Sequence, residues 1–270
     1  MSFEKPQITI VVPRRGINDE GKGKKHALYR LISAAKTEYV WMMDDDVLPA
    51  PIANSALCER PIGGIPSNSL YEASDLLILP LQMESDREKP SLLERLQIAE
   101  YAAIQQLTIE TAKRGHAVMC SGANLIAKRD RWLESYPDLH PEIPSGDDMF
   151  LLESFKRRGL KIAVSESKEL TAIVRPHTSW RAFFRQRMRW AGKAPKYTDK
   201  DILLCGAIML MANLLQLCCP LVLLVKFPLE YALIKKRDAS VSLFTALLLE
   251  ILYPFYTIIS IVGGIFRRTW

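Results

Sequence analysis

The N-terminal part of the chain alternates short apolar runs with one stretch of helical spacing. Residues 8–12 form a β-branched run that stops at Pro13, a pattern typical of a buried strand. After a polar loop, apolar residues recur at helical spacing over residues 26–35, and a second apolar run covers residues 39–43. This order predicts a βαβ unit with acidic residues at the carboxyl end of its second strand, where open α/β sheets place their ligands.

Further elements are predicted in the middle of the chain. Apolar runs indicate strands at residues 75–81, 118–127 and 160–164. Helical spacing indicates helices at residues 91–114, 147–158 and 179–192. In the last of these helices aromatic residues alternate with arginines, which favours an amphipathic helix lying on a membrane surface.

Two long apolar segments, residues 202–225 and 241–266, occupy the C-terminal part of the chain. Each approaches or exceeds the roughly 20 residues that span a hydrocarbon core, so both are predicted as transmembrane helices. Polar residues and prolines interrupt both segments, so helices buried in a large soluble core are the alternative. A second alternative makes the first segment re-entrant or interfacial.

Charge and cysteine usage bear on the compartment. The chain has 36 Lys and Arg against 30 Asp and Glu, a net charge of +6. A basic loop between the two apolar segments favours the opposite orientation, but it is short, and the charge of the whole chain outweighs it. Five cysteines without paired spacing indicate neither a zinc site nor a disulfide framework. The N-terminus lacks a signal-peptide layout. We therefore predict a protein of the inner (cytoplasmic) membrane with its polar domain in the cytosol. Because the basic residues are dispersed, nucleic-acid binding is not expected.

An acidic run, Asp44-Asp45-Asp46, follows the second predicted strand. At extended spacing Asp44 and Asp46 face one side, and a cation would relieve their repulsion. Carboxylate oxygens suit Mg²⁺ or Mn²⁺, and such an ion would in turn bind a diphosphate. A solvated acidic turn is the alternative.

Two later motifs also carry candidate chemistry. Asp147 and Asp148 open a predicted helix, where one carboxylate serves as a cap and the other as a general base. Gln186, Arg189 and Trp190 place an amide, a guanidinium and an indole within one and a half helical turns, a group that binds phosphate and stacks on a ring. A basic helix on anionic lipid is the alternative for this second motif.

In order and spacing these motifs resemble the family 2 glycosyltransferases, especially the branch with polysaccharide synthases and ceramide glucosyltransferase-like enzymes. The similarity extends over residues 8–200. It implies that Asp148, beside Asp147, is the base that deprotonates the acceptor hydroxyl, and that Asp44 and Asp46 bind the metal. Donor or diphosphate binding is implied for Asp44, Asp46, Gln186, Arg189, Trp190 and Lys24.

Two smaller motifs continue the resemblance. Gly23-Lys24 followed by Ala27-Leu28 is similar to the family's helix start, and the stretch around Gly122 and Asn124 is similar to its acceptor-side strand. The fold implied is a Rossmann-like α/β domain of the GT-A type, followed by C-terminal transmembrane helices. Its parts would be a catalytic domain at 1–178, an amphipathic segment at 179–200 and a membrane region at 201–270.

One departure from the family concerns the N-terminus. The strand at residues 8–12 matches the family's third strand, so the domain is expected to be N-terminally incomplete, without the strands that bind the base. A truncated reading of the chain is one explanation, a partner chain that supplies those strands is a second, and an inactive relic is a third.

The function implied is inverting transfer of a sugar from a nucleotide-sugar donor, foremost a UDP-sugar, to a lipid or glycan acceptor at the membrane. Mg²⁺ or Mn²⁺ is the implied cofactor. A non-catalytic, glycosyltransferase-like membrane subunit that scaffolds a partner is the rival interpretation.

Overall fold

The structure is a computed structural model that describes residues 8–14, 23–51, 53, 73–143 and 145–266. The strands are β1 Ile8–Val11, β2 Tyr39–Met43, β3 Leu76–Ile78, β4 Leu81–Met83, β5 Asn124–Lys128, β6 Ile162–Val164 and β7 Ala172–Val174. The helices are α1 Lys24–Ala34, α2 Leu92–Lys113, α3 Arg129–Ser135, α4 Asp147–Arg157, α5 Trp180–Ala191, α6 Lys200–Cys218, α7 Leu223–Arg237 and α8 Leu243–Phe266.

A five-stranded mixed sheet has the strand order β1-β2-β5-β3-β6. β1 pairs parallel with β2, and α1 connects them, so the predicted βαβ unit is confirmed. β5 runs antiparallel to both of its neighbours, β2 and β3, whereas β3 and β6 are parallel. The acidic run therefore follows directly from a strand that lies inside the sheet.

Several of the predicted strands are shorter than expected, including the one predicted at 160–164, which is limited to Ile162–Val164. The strand predicted at 75–81 is limited to Leu76–Ile78, and Pro80, which has no N–H to donate to a ladder, separates it from β4. The strand predicted at 118–127 begins only at Asn124, because a turn precedes it in which the Asn124 N–H donates to the Ser121 carbonyl at 3.2 Å.

The core of the sheet is built from the residues that alternate along its central strands. Tyr39, Trp41 and Met43 point to one side of β2 and pack with Leu77 of β3 and Ile126 of β5. All five side chains are buried. This packing fixes the register of β2 and so the position of the acidic residues that follow it.

Packing divides the chain into two compact units. One comprises Met1–Leu81 and Thr111–Val174, and the other comprises Gln82–Glu110 and Arg175–Trp270. The division predicted from the sequence, into a catalytic domain at 1–178, an amphipathic segment at 179–200 and a membrane region at 201–270, is a functional one. It stays a prediction.

In the second unit, helix α2 packs against the C-terminal helices. An apolar cluster joins Leu96, Ala99 and Ala102 of α2 to Ile234 of α7 and Leu249 of α8. Ser91 and Glu94 cap the start of α2 reciprocally, since each backbone N–H donates to the other residue's side-chain oxygen.

Two helices of this unit, α6 and α8, are long and apolar enough to cross a membrane. Only 17% and 28% of their most apolar windows are buried inside the protein, which disfavours the alternative of core helices in a soluble protein. The first predicted segment, 202–225, is not one helix. α6 ends at Cys218, a short 3-10 turn begins at Pro220, and α7 starts at Leu223, because proline cannot continue the hydrogen-bond ladder of a helix.

The polar residues that interrupt these segments meet around one lysine. Lys226 Nζ donates to Asn213 Oδ1 at 2.9 Å and to Gln216 Oε1 at 3.2 Å, and it also forms an ion pair with Glu250. Because buried charges are stable only when they are paired and hydrogen-bonded, this cluster explains how α6 and α8 tolerate polar residues.

Candidate active site

Lys24 joins two acidic residues from different elements of the first unit. It is the first residue of α1 and follows Gly23, whose φ of 89° is in the region that favours glycine. Its Nζ lies 2.7 Å from Asp44 Oδ1, just past the end of β2, and 2.9 Å from Asp147 Oδ2, in the first turn of α4. One ammonium group therefore holds together three elements at the carboxyl end of β2.

The charges of this group alter each other's protonation. Burial by itself lowers the pKa of Lys24, but attraction to Asp147, Asp44 and Asp148 outweighs it and raises the pKa well above its usual value. The pKa of Asp44 is raised as well, by burial first and by Asp147, against the opposing pull of Lys24. Lys24 is thus a permanent positive charge in an otherwise acidic site.

Asp148 lies beside this group and is held by backbone donors. Its Oδ1 accepts the N–H of Met149 at 2.8 Å, and its Oδ2 accepts the N–H of Gly122 at 3.4 Å. Gly146 precedes α4 with a φ of 85°, which turns the chain so that Asp147 and Asp148 fall in the first helical turn, where the helix dipole favours negative charge. The Asp148 carboxylate is only half-buried.

Gly122 makes this approach possible. A Cβ at this position would lie 3.0 Å from Asp147 Oδ2 and 3.3 Å from Lys24 Nζ. Any other residue would push on the two ends of that ion pair. The absence of a side chain at Gly122 is therefore part of the geometry of the acidic group.

The neighbouring Cys120 is not a candidate nucleophile. Its Sγ–H donates to the Asp148 carbonyl at 3.2 Å. Burial, together with the charges of Asp148 and Asp147, raises the pKa of its thiol well above the usual range. The thiolate form, which is the nucleophile, is therefore suppressed.

Asn124, predicted on the acceptor side, is buried with its amide fully engaged. Its Oδ1 accepts the Trp41 indole N–H at 2.8 Å, and its Nδ2 donates to the carbonyls of Pro80 and Leu170 at 2.9 and 2.8 Å. These bonds fix the loops around the end of β5. A direct role at an acceptor stays a prediction for this residue.

The other two aspartates of the acidic run are exposed. β2 ends at Met43, and Asp45 and Asp46 lie in a turn, so the predicted alternation of Asp44 and Asp46 along an extended strand does not apply. Asp46 is nevertheless close enough to Asp44 to contribute to raising its pKa.

The carboxylates at this turn are of the chemical type that binds divalent cations. Among the described residues, no three His, Cys, Asp or Glu side chains are grouped to hold a metal ion. Mg²⁺ and similar ions, however, usually keep several waters and are bound through one or two carboxylates plus the phosphates of a substrate. That Asp44 and Asp46 act as such a pair stays a prediction.

Helix α5, in the second unit, carries Gln186, Arg189 and Trp190. Arg189 and Trp190 are exposed, whereas Arg187, two residues before Arg189, is buried. Arg187 Nε donates to Glu100 Oε1 at 3.3 Å, its Nη2 pairs with Glu100 Oε2, and its guanidinium lies 4.3 Å from the centre of the Trp190 ring. Arg187 therefore sets the orientation of Trp190.

Sequence reasoning selected Arg189 and missed Arg187 and its partner Glu100. A signal was present, because Arg187 follows Phe183 and Phe184 at helical spacing of four and three residues and so lies on the apolar face of α5. An arginine on an apolar face needs a buried partner. The identity of that partner, which is distant in sequence, required the structure.

The family of the chain is decided by its sequence profile. The profile described as "Glycosyltransferase like family 2" matches residues 4–193, which include the acidic run, the Asp147-Asp148 pair and the Gln186 to Trp190 motif. The chain belongs to this family. It is a glycosyltransferase, and its mixed α/β sheet is that of the GT-A fold.

Several solved structures of glycosyltransferases are similar to this one. A mannosyltransferase from Pyrobaculum calidifontis, in complex with GDP-Man and Mn²⁺, is 15% identical with a TM-score of 0.49, over 99% of this chain and 89% of the other. The glucosyl-3-phosphoglycerate synthase of Mycobacterium tuberculosis, in complex with Mn²⁺ and UDP-glucose, is 20% identical with a TM-score of 0.33, over 64% of this chain and 52% of the other. The mannosyl-3-phosphoglycerate synthase of Rubrobacter xylanophilus is 11% identical with a TM-score of 0.31, over 68% and 71%.

The similarity to these structures is too low to add to the family match. No curated protein sequence matches the glycosyltransferase significantly.

Proposed function

We propose that this glycosyltransferase moves a sugar from a nucleotide-sugar donor to an acceptor hydroxyl at a membrane, with inversion at the sugar. The observation that carries the proposal is the group at the end of β2, where Lys24 joins Asp44 to Asp147 and Asp148 lies beside them with a half-buried carboxylate. It combines a fixed positive charge, the Asp44 carboxylate, which is proposed to hold a cation together with Asp46, and the Asp148 carboxylate, which is proposed to transfer a proton.

On the donor side, the chain supplies charges of both signs. We propose that Lys24 donates to a diphosphate oxygen, because its ammonium group is part-exposed and stays protonated. Asp44 and Asp46 would hold Mg²⁺ or Mn²⁺. When bound, such an ion supplies positive charge that stabilises the leaving diphosphate. Gln186, Arg189 and Trp190 are proposed to bind the donor as well, as their motif in this family implies.

On the acceptor side, Asp148 is the proposed base. It takes the proton of the acceptor hydroxyl as the acceptor oxygen forms its bond to the anomeric carbon of the sugar. The bond from that carbon to the diphosphate breaks in the same step, and the nucleoside diphosphate leaves with the electron pair. One displacement inverts the configuration. The N–H groups of Gly122 and Met149 hold the carboxylate in place for this step.

The membrane part of the proposal rests on the exposed surface of the second unit. Many large apolar side chains of α6, α7 and α8 are exposed. Among those that are more than 60% exposed are Leu204, Leu224, Val225, Phe244 and Phe266. Exposed large apolar side chains in this number are typical of a membrane or protein interface. We propose that it faces the lipids of the inner membrane while the first unit lies in the cytosol.

The experiment that tests this function uses the purified full chain in detergent with UDP- and GDP-sugars and a membrane lipid extract. We expect release of nucleoside diphosphate that depends on Mn²⁺ or Mg²⁺ and is lost in Asp46→Ala, but kept in Asp45→Asn, the neighbouring change in the same turn. Turnover without any divalent cation would contradict the metal assignment. A chain that binds no donor would favour the scaffold interpretation.

A further inference from the structure

A buried arginine of α5 contacts two of the three motif residues on that helix. Arg187 Nη1 donates to Gln186 Oε1 at 2.7 Å, and its guanidinium lies 4.3 Å from the centre of the Trp190 ring. Arg187 is only 5% exposed, whereas Gln186 is half-buried and Trp190 is exposed. The residue with almost no surface for a ligand therefore holds two residues that have such surface.

Arg187 is held in turn from two other helices of the second unit. Its Nε donates to Glu100 Oε1 at 3.3 Å, its Nη2 pairs with Glu100 Oε2, and the Tyr256 hydroxyl of α8 donates to Oε1 of the same carboxylate. Burial by itself lowers the pKa of Arg187, but attraction to Glu100 outweighs burial and raises the pKa. Because the planar guanidinium is paired with a carboxylate through two of its nitrogens, its plane is fixed.

The fixed guanidinium decides how the Gln186 amide is turned. A guanidinium has only hydrogen-bond donors, so the amide atom that faces it must be the oxygen. The Nε2 branch of the amide is then the one left for a ligand, and no described residue accepts a hydrogen bond from it. A phosphate oxygen, which accepts hydrogen bonds and carries negative charge, complements these N–H groups.

The backbone beneath the motif is also held, by a close approach of α8 to α5. A Cβ at Gly264 of α8 would lie 2.8 Å from the Gly192 nitrogen and 2.9 Å from the Met188 carbonyl oxygen. Both are backbone atoms, which have no rotamer to change, so the two helices approach this closely only because residue 264 is a glycine. With the backbone fixed, the freedom left to the motif is that of its side chains, two of which Arg187 restricts.

We propose that Arg187 is a positioning residue for donor binding, which turns the N–H groups of Gln186 toward a phosphate oxygen of the donor and fixes the plane of the Trp190 ring. The proposal rests on the proposed function, since that function assigns Gln186 and Trp190 to the donor. Arg187 then acts on donor affinity without touching the donor.

The amide orientation is tested by calorimetric titration of the full chain in detergent with UDP and with GDP, in the presence of Mn²⁺. Gln186→Leu removes the N–H donors and should weaken binding of the diphosphate roughly tenfold to a hundredfold. Gln186→Glu places a carboxylate beside the phosphate and should weaken binding at least roughly fivefold more than Gln186→Leu does. Arg181→Gln lowers the charge of α5 by the same amount at an exposed position and should have little effect. Wild-type affinity in Gln186→Glu would overturn the proposed orientation.

Positioning is separated from stability with the double variant Glu100→Leu with Arg187→Met, which leaves no buried charge unpaired. Its thermal midpoint should lie near that of wild type. Its affinity for the diphosphate should nevertheless fall roughly fivefold to a hundredfold, because binding must now order two side chains. The matched control, Glu110→Leu with Lys236→Met, removes another ion pair of the second unit and should leave affinity unaltered. Wild-type affinity in the first double variant would reduce Arg187 to a structural role.

Trp190 reports its own orientation without any ligand. The near-UV circular dichroism of each protein, minus that of the same protein with Trp190→Phe, gives the band of this ring. We expect the band to be kept in Gln186→Leu but lost in the Glu100 and Arg187 double variant and in Arg187→Lys, which keeps the charge without the planar group. A band that persists in both would overturn the positioning of Trp190. If wild type binds neither UDP nor GDP, the proposed function fails, and this band alone decides the role of Arg187.

Discussion

Lys24 Nζ lies 2.9 Å from Asp147 Oδ2, although the two residues are more than a hundred positions apart in the chain. The same ammonium group also pairs with Asp44. This contact brings the start of α1 to the start of α4, and it places the positive charge of Lys24 between two acidic residues. The predictions for Lys24→Met and Gly122→Ala depend on it.

Removing the ammonium group should weaken donor binding. A hydrogen bond to a charged group contributes about 1.5–3 kcal/mol, so Lys24→Met should lower donor affinity roughly tenfold to a hundredfold. Calorimetric titration with a nucleotide sugar measures the change. Lys36→Met removes an exposed charge near the other end of α1 and should leave affinity unaltered. Unchanged affinity in Lys24→Met would remove this residue from the donor site.

Gly122→Ala should damage activity more than stability. The new Cβ meets the ends of two side chains, Asp147 Oδ2 and Lys24 Nζ, which can move aside at the cost of their ion pair. We expect a loss of turnover of at least roughly tenfold with a change in unfolding free energy below about 1 kcal/mol. Gly206→Ala is the control, since a Cβ there meets nothing within 4 Å. Full activity in Gly122→Ala would show that the close approach is not needed.

Breaking the buried pair of Glu100 and Arg187 should destabilise the second unit. Removal of one member of a buried ion pair costs about 3–5 kcal/mol, so Glu100→Leu should lower the thermal midpoint strongly. The double change Glu100→Leu with Arg187→Met should recover most of the loss. Arg131→Gln, which breaks an exposed pair with Glu134, should cost no more than about 1 kcal/mol. Equal losses in the single and double variants would argue against a specific pair.

Asp138 should make the first unit sensitive to acid. It accepts hydrogen bonds from Ser154 of α4 at 2.6 Å and from Arg158 at 3.2 Å, and it pairs with Arg157. Burial alone would raise its pKa, but these partners outweigh burial and lower the pKa below the usual value of 3.8. The stabilisation is therefore complete above pH 3.8 and is lost as pH falls through the depressed pKa of the folded state.

Denaturant unfolding over a pH series measures this effect. Wild type should lose more stability between neutral pH and pH 3 than Asp138→Asn does, because the variant has no carboxylate to protonate. Parallel curves for the two proteins would exclude Asp138 as a source of acid sensitivity.

Much of the fold follows from local patterns in the sequence. Apolar runs and helical spacing predict β1, α1, β2, α2 and α4 with bounds within about two residues, because each of these segments buries at least one face. The prediction of a single helix over residues 202–225 was wrong. It rested on the apolar composition of the segment and did not take into account that Pro220 breaks the helix. The strand predicted at 118–127 was too long at its start. Hydropathy does not reveal the hydrogen bond within the turn that precedes Asn124.

The candidate site was predictable only as separate motifs. Asp44, Asp147 and Asp148 stand out in the sequence because acids follow a buried strand or open a helix. That Lys24 joins the first two, and that Gly122 leaves room for them, depends on contacts between distant segments. The saturated amide of Asn124 and the burial of Arg187 have the same origin, since both depend on partners roughly 40 to 90 positions away.

The most direct test of the account is Asp148→Asn in the full chain, with transfer rate and donor affinity measured side by side. Loss of a general base lowers turnover by about 10² to 10⁴, so transfer should fall at least roughly a hundredfold while the dissociation constant of the donor changes by less than about twofold. Asp130→Asn, an exposed aspartate on α3, is the control and should retain full turnover. Turnover in Asp148→Asn equal to that of wild type would contradict the central claim.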